Sequence, residues 1–287
     1  MYYLLIVCAA VFLALEFSCS KKYQALEGVS PAAGLRFNAL SGLFSAVLMW
    51  AVSGFHLEWS AFSLILAFAL SLCGIIYSLL GFHVLQNGGM ALYSTFLMCG
   101  GMVLPYLYGA IFLQETITLP RILGLAIILV AVICSNPSKE KVHSKLLALC
   151  TAVFILNGCV SILSKCHQVN TRFSAVNTSM FVVYCGITKC LLSTLSLLFF
   201  PRQRITFVSI KKPVLLITAG ASLISGLSYL MQLAGAKALP ASVLYPFITG
   251  GSIVFSAIAS RIFFRETITK RQILCIALCV IGTLLFL

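Results

Sequence analysis

Apolar residues in this chain come in long runs, not in the alternating rhythm of a half-buried strand or the one-faced rhythm of a soluble amphipathic helix. The runs fall at 2–20, 31–54, 60–82, 88–113, 119–135, 144–165, 173–199, 212–234, 240–264 and 271–287, with short polar connections between them. Crossing a bilayer takes about 20 apolar residues. The pattern therefore predicts an all-α integral membrane protein with ten transmembrane helices. The first run has no basic stretch before Met1-Tyr2-Tyr3-Leu4 and no small-residue cleavage site, so it reads as a retained span and not a leader. The longest basic connection, Ser135 to His143, is too short to hide a soluble module.

The chain also resembles itself at an offset of about 142–152 residues. Cys8-Ala-Ala-Val-Phe12 matches Cys150-Thr-Ala-Val-Phe154, Phe37 and Gly42 match Phe181 and Gly186, and Gly74 and Tyr77 match Gly226 and Tyr229. The strongest block runs without a gap, with Phe112-Leu-Gln-Glu-Thr-Ile-Thr118 over Phe263-Phe-Arg-Glu-Thr-Ile-Thr269 and, upstream, Phe96 and Gly100 over Phe247 and Gly251. Residues 1–138 and 139–287 are thus two copies of a five-helix unit. An odd number of spans per copy makes the second enter the membrane from the opposite side. The expectation is a pair of inverted repeats about an axis in the membrane plane, an arrangement suited to alternating access.

Composition narrows the chemistry. Hydrophobic residues make up 61% and charged residues 9% of the 287 positions, against roughly 25% charged in soluble domains. All six acids are glutamates, which excludes aspartate-based proteolysis, metal binding and phosphoryl transfer. His56, His83, His143 and His167 lie near segment ends, without HExxH or a Cys/His cluster. Ten of the twelve cysteines fall inside apolar runs, where they act as small hydrophobes; Cys275 and Cys279 share a helix face but no CxxC accompanies them. No catalytic set, metal site or cofactor is expected. The net charge of +13 comes from clusters beside the spans, so it marks membrane topology and not nucleic-acid binding.

Each half ends in an apolar helix, a Glu-Thr-Ile-Thr turn and a final apolar helix, and this resembles the drug/metabolite transporter superfamily, EamA type. The first half carries the family pattern as Gly100-Gly101, Pro105, Glu115 and Gly124; the second keeps Gly251 and Glu266 but has Ser256 and Cys275 where Pro105 and Gly124 stand. The resemblance implies a secondary active transporter, an exporter or exchanger, moving a small metabolite by alternating access through a central cavity. A polar-lined channel or a membrane receptor without coupled transport is the alternative. The implied surroundings are a lipid bilayer, with a second copy of the chain as a candidate partner.

Two charges lie inside spans, where an unpaired charge costs several kcal/mol. Lys189, near the middle of the seventh run, either binds an anionic group of substrate or neutralises a protein glutamate. Glu16 either pairs with Lys21 and Lys22 at the interface or couples transport to protons. Tyr77, Tyr229, Tyr93, Tyr245, Ser94, Asn157 and Gln232 are candidates for the cavity wall, with Tyr77/Tyr229 and Tyr93/Tyr245 read as matched pairs; the alternative for each tyrosine is an interfacial belt or a packed core ring. Glu115 and Glu266 precede helix starts, where capping of the next helix competes with a proton-relay role. Gly100 and Gly251 point to close helix packing.

Basic residues flank one face: Lys21, Lys22, Arg36, Lys139, Lys141, Lys145, Arg202, Arg204, Lys211, Lys212, Arg261, Arg265, Lys270 and Arg271. Arg121, Lys165, Arg172 and Lys237 flank the other. By the positive-inside rule the first face is cytoplasmic and both termini are non-cytoplasmic, opposite to familiar eukaryotic relatives. A bacterial inner (plasma) membrane is the expected location.

Overall fold

The computed structural model describes residues 2–28, 30–135, 143–199, 211–265 and 269–286, and for 85–91 and 135 the backbone alone. The described residues form α1 (Tyr2–Glu27), α2 (Pro31–Val52), α3 (Ala61–Ile111), α4 (Leu119–Ser135), α5 (Ser144–Val169), α6 (Thr178–Leu197), α7 (Lys212–Ala238), α8 (Ala241–Phe264) and α9 (Lys270–Leu284), with no strand among them. Short polar residues set several starts. The side chains of Ser30, Ser60 and Asn177 accept backbone N–H groups at the first turns of α2, α3 and α6, and Thr269 forms a reciprocal cap with Gln272 at α9.

Eight segments are long and apolar enough to cross a membrane, because α3 contains two of them, Ala61–Val84 and Leu92–Ile111. As a straight rod, the 51 residues of α3 would extend about 77 Å. It is not straight. A Cβ placed on Gly81 would run into the Tyr93 ring, although 12 residues of straight helix separate two sites by about 18 Å. The two spans therefore bend sharply toward each other. The fifth and tenth apolar runs fall short of the span length expected for them: α4 has 17 residues and α9 has 15, or about 23–26 Å of helix against a hydrocarbon core of about 30 Å. The junction expected at 138/139 lies outside the described residues.

The helices interlock across the two halves. α2 packs on α6, α4 on α9, α1 on α7 and α8, and α5 on α3. At the α2–α6 crossing the contact is reciprocal. A Cβ on Gly42 would lie 2.6 Å from the Gly186 carbonyl oxygen, and one on Gly186 would lie 2.7 Å from that of Gly42. Only hydrogen side chains allow backbones to meet this closely. Gly100 meets the backbone of Phe154 in the same way, and Gly251 faces Ala10.

Ile6, Tyr106, Ala241, Leu244 and Phe286 share one apolar cluster, with Tyr3 packed against it, so both chain ends lie at one end of the bundle. That end is also tied between α3 and the α5–α6 region. Ser60 donates to the Ser174 carbonyl at 2.5 Å, Ser63 Oγ lies 2.9 Å from His167 Nε2, and Tyr184 donates to the Glu58 carbonyl at 2.7 Å.

Candidate functional site: a polar cavity between the two halves

A cavity of about 460 Å³ opens inside the bundle, lined from the first half by α1, α2 and both spans of α3 and from the second by α5, α6, α7 and α8. The sequence-derived candidates Lys189, Tyr77, Tyr229, Asn157, Gln232, Tyr245 and Glu16 all line it. Apolar positions such as Leu13, Phe17, Ile75, Met98 and Ile248 complete the wall.

Tyr93 and Ser94 do not line it. Tyr93 packs with the apolar cluster of Val84, Leu92, Leu146 and Cys150. For Tyr93 the reason is register. The ungapped block that sets Phe96 over Phe247 sets Tyr93 over Leu244 and Ser94 over Tyr245, and one residue turns a helix by about 100°. Leu244 is fully buried in a core cluster while its neighbour Tyr245 lines the cavity.

Much of the polar wall is committed to holding helices together. Tyr245 donates to the Ser161 carbonyl at 2.5 Å, Ser164 and Tyr229 share a hydrogen bond of 2.8 Å, and Asn157 Nδ2 donates to the Leu97 carbonyl at 2.7 Å. Pro105 lies inside α3 and has no N–H to give to Gly101, and Ser161 Oγ donates to that carbonyl at 3.3 Å. Pro105 thereby joins α3 to α5 at the cavity wall.

Glu16 points into the cavity and makes no hydrogen bond or ion pair with Lys21 or Lys22; its charge is felt by Lys189 and by Tyr77 across the void. Lys189 likewise has no hydrogen bond to another described residue.

A family model described as the EamA-like transporter family matches residues 145–287. The chain belongs to this family. It falls within the drug/metabolite transporter superfamily, and with eight membrane-capable segments the protein is a multi-pass integral membrane protein. A solved crystal structure 15% identical in sequence aligns over 99% of this chain and 97% of its own at a TM-score of 0.79, which shows a shared fold. No curated protein matches the chain in sequence.

The motif glutamate of this EamA-like chain is positioned by tertiary contacts. Glu115 does not cap the following α4. Its carboxylate accepts the Ala241 N–H at 2.6 Å and the Ser242 N–H at 2.9 Å, capping α8 from the other half. Beside it, Lys165, expected as a flanking charge, is 3% exposed and donates to the carbonyls of Ala236 at 2.7 Å and Leu239 at 2.6 Å. An acid at a helix start and a base at a helix end both interact favourably with the helix dipole, so the turn from α7 to α8 is gripped from both sides. Sequence reading missed Lys165. Its one signal was a lysine within a turn of the end of an otherwise apolar run. Glu266, the second motif glutamate, lies outside the described residues. Among the described residues no group of His, Cys or Glu side chains could hold a metal.

Proposed function

We propose that this protein is a secondary active transporter that moves a small metabolite by alternating access between two inverted five-helix repeats. The carrying observation is a polar cavity whose wall is divided between the two halves and whose two charges come one from each, Glu16 from α1 and Lys189 from α6. Exchange symmetry supports the repeat reading. α2–α6 and α4–α9 pair equivalent helices, and α1 packs on α7 and α8 as α5 packs on the two spans of α3. Gly42 and Gly186, equivalent in sequence, cross at each other's carbonyls. Two halves with the same internal packing can take two mirror arrangements of similar energy around one site. The ties at the end bearing the termini, through Ser60, Ser63 and Tyr184, close that end in this arrangement. The basic face is cytoplasmic in this reading and both termini are outside, in a bacterial inner membrane.

Counterflow in proteoliposomes tests the proposal. Vesicles loaded with pooled metabolites should accumulate labelled solute of the same kind in a saturable way. Flux linear in solute concentration, without stimulation from the opposite side, would make the protein a channel. Binding without flux would make it a receptor.

A further inference from the structure

The ties at the terminus-bearing end form one connected latch between the halves. The first half supplies the start of α3 and the connection before it; the second supplies the end of α5, the start of α6 and the connection between them. The Glu58 carboxylate accepts the Asn177 N–H at 2.6 Å and the Asn177 side-chain amide as well, while the Glu58 carbonyl takes the Tyr184 hydroxyl. Ser63 Oγ accepts the Val176 N–H at 3.1 Å and also meets His167. His167, 4% exposed, fills the middle of the latch. Its ring stacks on Phe181 at 3.6 Å and on Phe62 at 6.2 Å, and Gln168 engages its other nitrogen at 2.9 Å.

The second half does not repeat this latch. Exchange of the halves would set the start of α7 against the α1–α2 turn at the basic end. With Cys8 over Cys150, Phe37 over Phe181 and Gly74 over Gly226 setting the register, His167 corresponds to Ala25, Asn177 to Ala33 and Tyr184 to Leu40. On the other side Glu58 corresponds to Ile210 and Ser63 to Leu215. None of these five side chains can make the hydrogen bond its counterpart makes. Among the described residues, no hydrogen bond or ion pair joins 211–216 to 24–36; the α1–α2 turn spends its polar groups on itself, through Ser30 and the Arg36–Glu27 pair. Arg271 does reach the Cys134 carbonyl and Lys21 lies over the Phe264 ring at the basic end, but neither stands where the exchange of halves would put the latch.

We infer that a latch built at one end only makes the two closed arrangements unequal, so that the empty protein rests closed at the terminus-bearing end and open toward the basic end. This rests on the alternating-access reading above. Opening the latched end gives up these bonds for bonds to water and uncovers the Phe62–His167–Phe181 stack, whereas the basic end has no such set to break. Each bond of this kind shifts an equilibrium about 2- to 10-fold. The consequence is sidedness. Solute arriving at the latched end must wait for a minor open form, and its half-saturating concentration rises by the inverse of that population. Solute arriving at the basic end meets a site already open.

Hydrogen–deuterium exchange of the full-length, solute-free protein in lipid nanodiscs tests the latch. In the native protein the amides of 170–178 should exchange slowly, and those of 25–34, their counterparts in the repeat, quickly. Glu58→Ala and Ser63→Ala should each shift the balance about 2- to 10-fold for every bond lost. Exchange at 170–178 then speeds up and, in the same molecule, exchange at 25–34 slows as the basic end closes. The reciprocal change decides the matter, because a side chain that only braces its surroundings loosens 170–178 and leaves 25–34 as it was. Glu58 lies in a surface connection, so its variant carries the test even where Ser63→Ala fails to fold. Loosening at 170–178 alone, or native protein that exchanges equally fast at both ends, would overturn the latch. Neither result touches counterflow, which judges the transporter reading separately.

Discussion

Lys165 and Lys189 are both lysines drawn into the bundle from the second half, and they come to opposite ends. Lys165 sits almost fully buried near the close of α5, where two carbonyls at the end of α7 accept its hydrogen bonds and the carboxylate of Glu115 stands nearby at the start of α8. Lys189 sits on α6 against a polar void, where it has no hydrogen bond to another described residue and senses the charge of Glu16. Both pay the cost of leaving water. In the first case the protein itself offsets that cost, so the charge holds helices in place. In the second the offset is left to whatever occupies the cavity. What separates these two charges is whether their partners are already present, not how deep they lie.

Substitutions can break that contrast, beginning with the largest effect on stability. Lys165→Met strips two charged hydrogen bonds from the end of α7 and should cost about 3 kcal/mol, read as a clear fall in the thermal midpoint in detergent. An unchanged midpoint would remove the clamp from the account. Gly42→Ala comes next. Its new methyl would meet the Gly186 carbonyl oxygen at 2.6 Å and the Cys190 nitrogen at 2.8 Å, backbone atoms that cannot swing aside. Separating α2 from α6 should cost about 2 kcal/mol. Gly220→Ala is the control, since nothing lies within 4 Å of its added methyl, and the same assay should show it neutral or slightly stabilising. Tyr245→Phe removes the hydrogen bond to Ser161 and should cost only about 0.6 kcal/mol, typical for one such bond inside a membrane protein. Lys189→Met should have the smallest effect of all on the midpoint, with no loss or a small gain, while abolishing counterflow. A strongly destabilised Lys189→Met would erase the distinction between the two lysines.

The apolar runs reported the helices well because spanning segments must satisfy their own backbone hydrogen bonds and so read as continuous apolar blocks. Length was less legible. α4 keeps the bounds of its run and α9 comes out two residues shorter than its run, both short of a full span, and α3 keeps helical backbone through the connection expected to separate its two spans. The cavity wall was legible wherever a polar residue stood alone in an apolar run, as with Lys189, Glu16, Asn157 and Gln232. It failed at Tyr93, because a pairing shifted by one residue moves a side chain from the cavity to the core, and at Ser94, for which the register gives no reason. It failed again at Lys165 and Glu115, whose partners are carbonyls and amides more than seventy residues away.

By itself the sequence determined that the chain lives in a membrane, that its two halves share a recurring residue pattern, and which few polar residues had to be accounted for inside it. Those conclusions depend on composition and spacing along one dimension, and apolar length and repetition are one-dimensional properties. Only the tertiary structure decided which polar groups are already spent. Whether a lysine has two carbonyls beside it or an open void depends on the helices that pack against it, and hydrogen-bond satisfaction is a property of that three-dimensional neighbourhood. That is why the burial of Lys165, read from the sequence as a flanking charge, came to light only once α7 was in place beside it.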